Sequence, residues 1–583
     1  MATPLLREDV RVPEAVAQAL ISGGVDHVFG MPGGSTVLIY DALFDHRDEI
    51  RTVLVREEAR AGVMAEVYGK LTGRPGVCIG QGAFMVHASI GAIEAQLSAS
   101  PMLLLADLSD NAPYTLHGPY QNGAGSYGAW DAHAVFSGMC KRVFVAHTPA
   151  EAVHCVQLGL KHAVTGEPGP VAVLFSGGSL RGTVGPSTQP ALWSTRDLLA
   201  TSALPVDATA LDQAARVLTS ARRPVIIAGG GVRVAGAYDD LARVARALGA
   251  PVATTAGGKG VFAETDEWAV GVLGNFGTSL ANAVVAGADV ILAVGTKLGP
   301  TDTAQEHPAL LDPLRQRLVH IDVEPLNLSW SVPAELSIIG DARVALSRLS
   351  EMVVAATTPA QRAERAEHLA ADVATHGKFS DRELDSDVEP LLPQRVIRAL
   401  HDAVAHDAVG HNAIVCCDAG ENRIFMTHYF QTTSAPGFVQ PAGVGGMGYA
   451  MPAAVAAQLA CPGKRGVAVC GDGGFAIAMN TLMTAREEGV PIVVVVLNNG
   501  KLGWVMHGQR DRQIASDLGT FDHAAIAVAM GCRGVRVERA DQLAGALADA
   551  LAADLPTVID VIISLDETFE NVTSPLMRQP RSR

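Results

Sequence analysis

The chain has 583 residues, 48% of them hydrophobic and 18% charged, and its 44 Lys+Arg against 60 Asp+Glu give a formal charge of −16. That length predicts about three or four domains, the composition excludes an intrinsically disordered chain, and the acidic balance argues against nucleic acid or an anionic membrane as main partner. No apolar run is long enough to span a bilayer, Met1–Glu14 lacks the apolar core of a secretory signal, and eight scattered cysteines fit a reduced, cytoplasmic setting better than a disulfide framework.

Short β-rich runs alternate with Ala-rich helical patterns along the whole chain, the pattern of an α/β protein with parallel sheets. A first block, residues 8–180, has predicted strands at His27–Phe29, Thr52–Val55, Gly76–Ile79, Met102–Ala106 and Val171–Phe175, with helices such as Pro13–Ser22 and Glu57–Leu71 between them. Residues 181–204 read as a joint. The second block, 205–352, has strands at Pro224–Ala228, Ala250–Thr254, Val290–Val294 and Arg317–Ile321. A charged, partly helical joint over 353–393 leads to the third block, 394–565, with strands at Ala413–Cys417, Gly466–Cys470, Pro491–Leu497 and Thr557–Val561. The polar tail, 566–583, is a loose end or a lid over a site. The expectation is three doubly wound parallel-sheet domains.

The most specific motif begins where strand Gly466–Cys470 ends: Gly471-Asp472-Gly473-Gly474-Phe475, a predicted helix Ala476–Glu488, a second strand, and Asn498-Asn499-Gly500. In an open α/β sheet ligands collect at the carboxyl ends of strands, and Asp472 and Asn499 both stand at such ends. One carboxylate, one amide oxygen and one backbone carbonyl form a hard oxygen set that suits Mg²⁺ completed by phosphate oxygens and water. The glycines are expected to let backbone N–H groups approach phosphates at the helix start. A Gly-Asp-Gly alone is only a turn; the ordered combination is far more specific.

This segment resembles the diphosphate-binding domain of thiamine-diphosphate enzymes, most like the acetolactate synthase and pyruvate oxidase group. The resemblance implies that Asp472, Asn499 and the backbone carbonyl of Lys501 bind Mg²⁺. It implies that Gly420 and Asn422 join Gly471, Gly473 and Gly474 around the diphosphate. Relatives often have Gln-His where this chain has Glu421-Asn422, and Glu421 is not assigned to binding. In Gly443-Val444-Gly445-Gly446-Met447-Gly448, Met447 matches the wedge between the cofactor's two rings, and the carbonyl of Gly445 the acceptor of its exocyclic amine. Val55-Arg56-Glu57-Glu58 matches an Arg-His-Glu segment whose acid, here Glu58, hydrogen-bonds the pyrimidine ring; Glu57 is the alternative one residue away. Met31-Pro32-Gly33-Gly34-Ser35 matches the loop over the thiazolium ring.

The resemblance further implies a homodimer or dimer of dimers, in which the first block of one subunit and the third block of another share each site. In relatives the middle block binds FAD, binds ADP or binds nothing, and Ala228-Gly229-Gly230-Gly231 leaves these alternatives open. Substrate loops depart from the family. Gln81-Gly82-Ala83-Phe84-Met85-Val86-His87 replaces Ser-Gly-Pro-Gly-Ala-Thr-Asn, so His87 stands where an Asn is expected, and Trp504 is followed by Gly508 where a Trp is expected. Gln81, Phe84, His87, Gln121 and Trp504 are therefore the predicted substrate pocket, with His117 and His507 as further polar candidates. The implied reaction makes or breaks a carbon–carbon bond of a 2-keto acid or acyloin through an enamine, as in acetolactate synthase. The rivals are a 2-keto acid decarboxylase, a 2-hydroxyacyl-CoA lyase and a flavin oxidoreductase like pyruvate oxidase.

Overall fold

The computed structural model describes residues 2–110, 117–118, 120–200, 202–406 and 412–577; the end of the predicted tail, 578–583, lies outside the described residues. The chain forms two compact units, one of Met1–Ser202 with Val455–Ala460 and Met483–Glu488, the other holding the remainder.

Three six-stranded sheets carry the architecture. The first runs, edge to edge, Arg51–Leu54, His27–Gly30, Gly76–Gly80, Met102–Asp107, Pro170–Phe175, Arg142–Ala146. The second runs Ala269–Val272, Val252–Thr254, Pro224–Ala228, Val290–Val294, Arg317–Asp322, Leu336–Ile339. The third runs Phe438–Val439, Ala413–Cys417, Arg465–Gly471, Val493–Asn498, Thr557–Ile562, Arg533–Val537. Neighbouring strands are parallel throughout. The central strands read as unbroken aliphatic runs because helices cover both faces: every residue of Met102–Asp107, Pro170–Phe175 and Val493–Asn498 is buried. Cys416 and Cys417 are buried strand residues with free thiols.

In each sheet the chain winds first to one side and then crosses to the other, and the crevice at that switch point is where a doubly wound sheet binds ligands. In the first sheet the switch point lies between His27–Gly30 and Gly76–Gly80, in the third between Ala413–Cys417 and Arg465–Gly471. The loops leaving those carboxyl ends are Met31–Ser35 with Gln81–His87, and Asp418–Asn422 with the turn into Asp472. These loops carry part of the predicted motifs; Glu58 follows the edge strand Arg51–Leu54 and Asn499 the strand Val493–Asn498.

Several elements differ from expectation. Strands Arg142–Ala146 and Arg533–Val537 escaped the sequence reading because they are sheet edges, half-exposed and without a continuous apolar run. Ala269–Val272 is buried but short and interrupted by glycine. The helix expected over Ala476–Glu488 is two helices, Asp472–Ala478 and Thr481–Glu487, and Asp472 itself opens the first. Much of the joint over 353–393 is a packed helix, Pro359–His376, started by a capping box at Thr358. The buried guanidinium of Arg365 donates to the carbonyls of Leu248, Thr219 and Ala221, fixing that helix to the middle block.

Within the second unit one buried ion pair joins the loop after the Val252–Thr254 strand to the segment after Cys417. Lys259 is 1% exposed, and its ammonium donates to both oxygens of Glu264, at 2.8 and 2.7 Å, and to the carbonyl of Phe430 at 2.7 Å. Glu264 also accepts the Thr432 N–H at 2.8 Å.

Candidate functional site

At the switch point of the third sheet, Asp418 ends strand Ala413–Cys417 and is fully buried. Its carboxylate accepts the N–H groups of Ala419, Gly448 and Ala450 at 2.9 Å each, and that of Tyr449. These bonds hold the loop segment around 448–450, next to Met447, at the carboxyl end of strand Ala413–Cys417. Burial nevertheless pushes the Asp418 carboxyl up to about 6, the N–H donors opposing it. A raised acid pKa means the folded chain holds the proton more tightly than the unfolded one. Stability from this group is thus present below about pH 4 and lost as pH rises through about 6, by roughly 3 kcal/mol in all. Urea midpoints measured from pH 4 to 7 should show the wild type losing ground to Asp418→Asn over that range; parallel profiles would contradict this.

Asn422 donates from Nδ2 to the Asp418 carbonyl at 3.1 Å. Gly420, at the start of the same turn, and Gly471 both face its Oδ1, since an added Cβ would lie 3.2 and 3.7 Å from it. Gly473 and Gly474 have a different use from the one expected. A Cβ on Gly473 would stand 2.4 Å from Met447 Cε, and one on Gly474 would stand 2.8 Å from the Asp418 carboxylate. Gly474 gives room to the fixed Asp418 carboxylate, and Gly473 to the end of the Met447 side chain.

Strands Arg465–Gly471 and Val493–Asn498 are paired, Gly471 opposite Leu497, which brings Asp472 and Asn499 side by side. Asp472 Oδ2 accepts the Asn499 and Gly500 N–H groups at 3.0 and 3.3 Å. Its Oδ1 is buried and has no hydrogen-bond partner among the described residues. Burial raises the Asp472 pKa, against those two N–H groups and His523. Asn499 Oδ1 accepts the Lys501 N–H at 3.0 Å, and the Lys501 ammonium pairs with Asp517 at 2.5 Å, so its charge is directed away from Asp472. A buried carboxylate oxygen left unsatisfied costs several kcal/mol unless a cation meets it, and Mg²⁺ fits this donor set. Behind it lie groups the sequence reading missed. His523 Nε2 is 3.7 Å from Asp472 Oδ1, its Nδ1 is 3.1 Å from Asp560, and Asn498 donates to Asp560 at 2.8 Å. Asp560 sits inside a strand-like apolar run, the one signal that it needed an explanation.

In the first unit, Asp107 ends strand Met102–Asp107, is 1% exposed, and organises two loops. It accepts the Ser35 N–H and hydroxyl at 2.9 and 3.0 Å and the Gly82 N–H at 3.0 Å. Gly34 has φ +55°, and a Cβ there would lie 2.3 Å from Asp107 Oδ2; Gly33 packs on Gln81 in the same way, at 3.1 Å. Gln81 donates to Ser109 at 3.3 Å and to Gln121, so these two predicted pocket residues meet. Phe84 is half-exposed on the same loop. Glu58 opens helix Glu58–Thr72, is 8% exposed, and its carboxylate has no hydrogen-bond partner among the described residues. Glu57 lies outside the helix, accepts from Arg60 Nε at 3.2 Å and sits 3.3 Å from His87 Nδ1. Of the two carboxyls, Glu58 is the buried one awaiting a partner and Glu57 the paired one.

Trp504 belongs to the second unit, where it stacks on Phe569 at 4.1 Å and meets Phe276 edge-on at 6.0 Å. The first part of the predicted tail forms a short capped helix, Phe569–Val572. Glu421 is buried and committed: His507 Nδ1 lies 2.6 Å away and the Phe569 N–H donates to it at 3.0 Å. His507 and Glu421 therefore clasp the tail. His117 is an exposed residue of the first unit.

In the middle block the glycine turn is explained by packing. A Cβ on Gly229 would lie 2.1 Å from the Gly295 carbonyl and one on Gly231 2.7 Å from Gly295 Cα. The two turns at this switch point interlock, so the motif is no argument for a nucleotide.

Comparison with known proteins accords with this geometry. Family models described as thiamine pyrophosphate enzyme N-terminal TPP binding domain, central domain and C-terminal TPP binding domain match residues 10–124, 211–349 and 418–561. A probable acetolactate synthase large subunit of Methanocaldococcus jannaschii is 30% identical over 97% of this chain and 96% of its own length. The acetolactate synthase large subunit of Corynebacterium glutamicum is 29% identical over 95% and 87%. A putative thiamine pyrophosphate-containing protein, YdaP, of Bacillus subtilis is 28% identical over 94% and 91%. No helix among the described residues is long and apolar enough to cross a membrane. With three family domains in order and a relative matched nearly end to end, the chain belongs to the thiamine pyrophosphate (thiamine diphosphate) enzymes, in the group that resembles acetolactate synthase.

Proposed function

We propose that the chain is a carboligase or lyase acting on a 2-keto acid or acyloin with thiamine diphosphate and Mg²⁺. Asp472, Asn499 and the Lys501 carbonyl hold the metal. Gly420, Asn422, Gly471, Gly473 and Gly474 line the diphosphate, Gly445 and Met447 support the rings, and Gly33 and Gly34 close over them. Glu58 holds a proton at the pyrimidine ring. The observation that carries this reading is the buried, partnerless Oδ1 of Asp472 beside Asn499; the partnerless Glu58 carboxyl supports it from the other unit. When bound, the cofactor supplies an electron sink for the pair released as a bond next to a carbonyl breaks. The similarity to acetolactate synthases favours ligation over simple decarboxylation. A homodimer or dimer of dimers, with each site completed by two subunits, is part of the same proposal.

The test is turnover of a panel. Protein loaded with thiamine diphosphate and Mg²⁺ is given pyruvate, 2-ketobutyrate, acetoin and 2-hydroxyacyl thioesters, and products are identified by mass spectrometry. Acetolactate-type products support the proposal. Aldehyde as the sole product makes the protein a decarboxylase, and no turnover of any substrate contradicts the proposal. Whether the middle block holds FAD is read from the same preparation: a yellow flavin spectrum bleached by substrate would move the reading to a pyruvate oxidase-like oxidoreductase.

A further inference from the structure

Two departures from the family pattern meet in space. Glu57 stands where related enzymes carry His in Arg-His-Glu, and His87 where they carry Asn; the two are 3.3 Å apart, although 87 − 57 = 30 positions separate them. Both lie at the carboxyl end of the first sheet, His87 on the loop leaving the switch-point strand Gly76–Gly80 and Glu57 on the loop leaving the edge strand Arg51–Leu54. One atom from each of Glu57, Glu58 and His87 falls within 4.8 Å of the others. The pair is thus next to the buried Glu58 carboxyl but chemically separate from it.

We infer that Glu57 and His87 form the acid–base dyad that moves the proton on the hydroxyl or carbonyl oxygen of the substrate. This rests on the reading of the protein as a carboligase or lyase. Glu57 is fixed: the buried Arg60 guanidinium holds Oε2 at 3.2 Å, which leaves Oε1 for His87. A carboxylate only accepts, so its charge 3.3 Å away favours the imidazole proton on Nδ1 and leaves the lone pair on Nε2. Nε2 has no partner among the described residues, and the side chain is 59% exposed. In cleavage, Nε2 takes the hydroxyl proton. The carbon–carbon bond then breaks and the O–H pair becomes the second bond of the new carbonyl; the cofactor, when bound, would supply the sink for the released carbon pair. Ligation is the reverse: the acceptor carbonyl oxygen takes the proton from Nε2–H as the new carbon–carbon bond forms. His87 is the catalytic residue of this step and Glu57 its positioning residue. The neutral amide of Gln81, on the same Gln81–His87 loop and bonded to Gln121, suits a substrate oxygen rather than an apolar chain.

The experiment uses holoenzyme with pyruvate as donor and follows four quantities: cofactor thermal shift, exchange of the cofactor's thiazolium proton with D₂O, CO₂ release, and ligated product. His87→Gln should keep the thermal shift and the proton exchange within about twofold while ligated product falls roughly 10²–10⁴-fold and CO₂ release persists. Glu57→Gln should move product in the same direction. Glu58→Gln should instead slow the proton exchange. Wild-type product formation in His87→Gln overturns the dyad while leaving the proposed function standing, as does loss of the thermal shift together with product. Absence of turnover by the wild type of pyruvate and of every other substrate in the panel overturns the proposed function and the dyad with it.

Discussion

Glu58→Gln is expected to bind thiamine diphosphate almost as the wild type does and to turn over roughly 10²–10⁴-fold more slowly. The glutamine has the same shape, so the packing survives: Gly80 has no side chain, and a Cβ there would come within 3.6 Å of Glu58 Cγ. What changes is the proton. A carboxyl can donate or release one at the pyrimidine nitrogen; an amide cannot follow that nitrogen between its two states. The residues proposed to hold the diphosphate and metal, Asp472 and Asn499 among them, are unchanged in this variant, so cofactor thermal shift and turnover should part company. If the variant turns over at the wild-type rate, the role assigned to Glu58 is wrong. If Glu57→Gln alone abolishes exchange of the thiazolium proton, the two adjacent carboxyls have been assigned in the wrong order.

Lys259→Met is expected to destabilise the unit that contains it by about 3–5 kcal/mol, the cost of breaking rather than replacing a buried ion pair. Burial pushes the Lys259 ammonium pKa down while Glu264 opposes that shift, so the pair is held by mutual charge and by three acceptor contacts. Methionine fills similar space but leaves the Glu264 carboxylate in the interior with the Thr432 N–H as a remaining donor. The double variant Lys259→Met, Glu264→Leu removes both charges and should recover a large part of the loss. Urea unfolding of the three proteins decides it. A single variant within about 1 kcal/mol of wild type, inside the spread of ordinary surface changes, would mean that the interior is wet enough to solvate the carboxylate.

Much of this fold is written in the chain because its central strands are buried on both faces and therefore read as uninterrupted aliphatic runs. Edge strands such as Arg533–Val537 are half solvated and carry no such signal. At the site, Gly471–Gly474 and Asn499 are legible because they follow the carboxyl ends of two neighbouring parallel strands, where a ligand needs small residues and hard oxygens. Asp107, Asp418, His523 and Asp560 are not legible as site residues. Each acts through backbone N–H groups or another side chain, brought close only by tertiary structure, and a single Asp at a strand end has many ordinary uses. Gly473 and Gly474 teach the opposite lesson: the sequence assigns them to a phosphate, whereas their missing side chains also make room for Met447 and Asp418. The Glu57–His87 contact lies between these cases, since both departures are visible in the chain but only the fold joins them.

The central claim is that this chain clamps thiamine diphosphate through a divalent ion at Asp472. Calorimetric titration of thiamine diphosphate into wild type and Asp472→Ala, each with Mg²⁺ and with chelator, measures it directly. Wild type should bind tightly only with Mg²⁺, and Asp472→Ala should lose roughly 100-fold or more of that affinity, beyond the 10–100-fold typical of a group that merely supports a ligand. Equal affinity in the two proteins, or binding indifferent to chelator, would contradict the account.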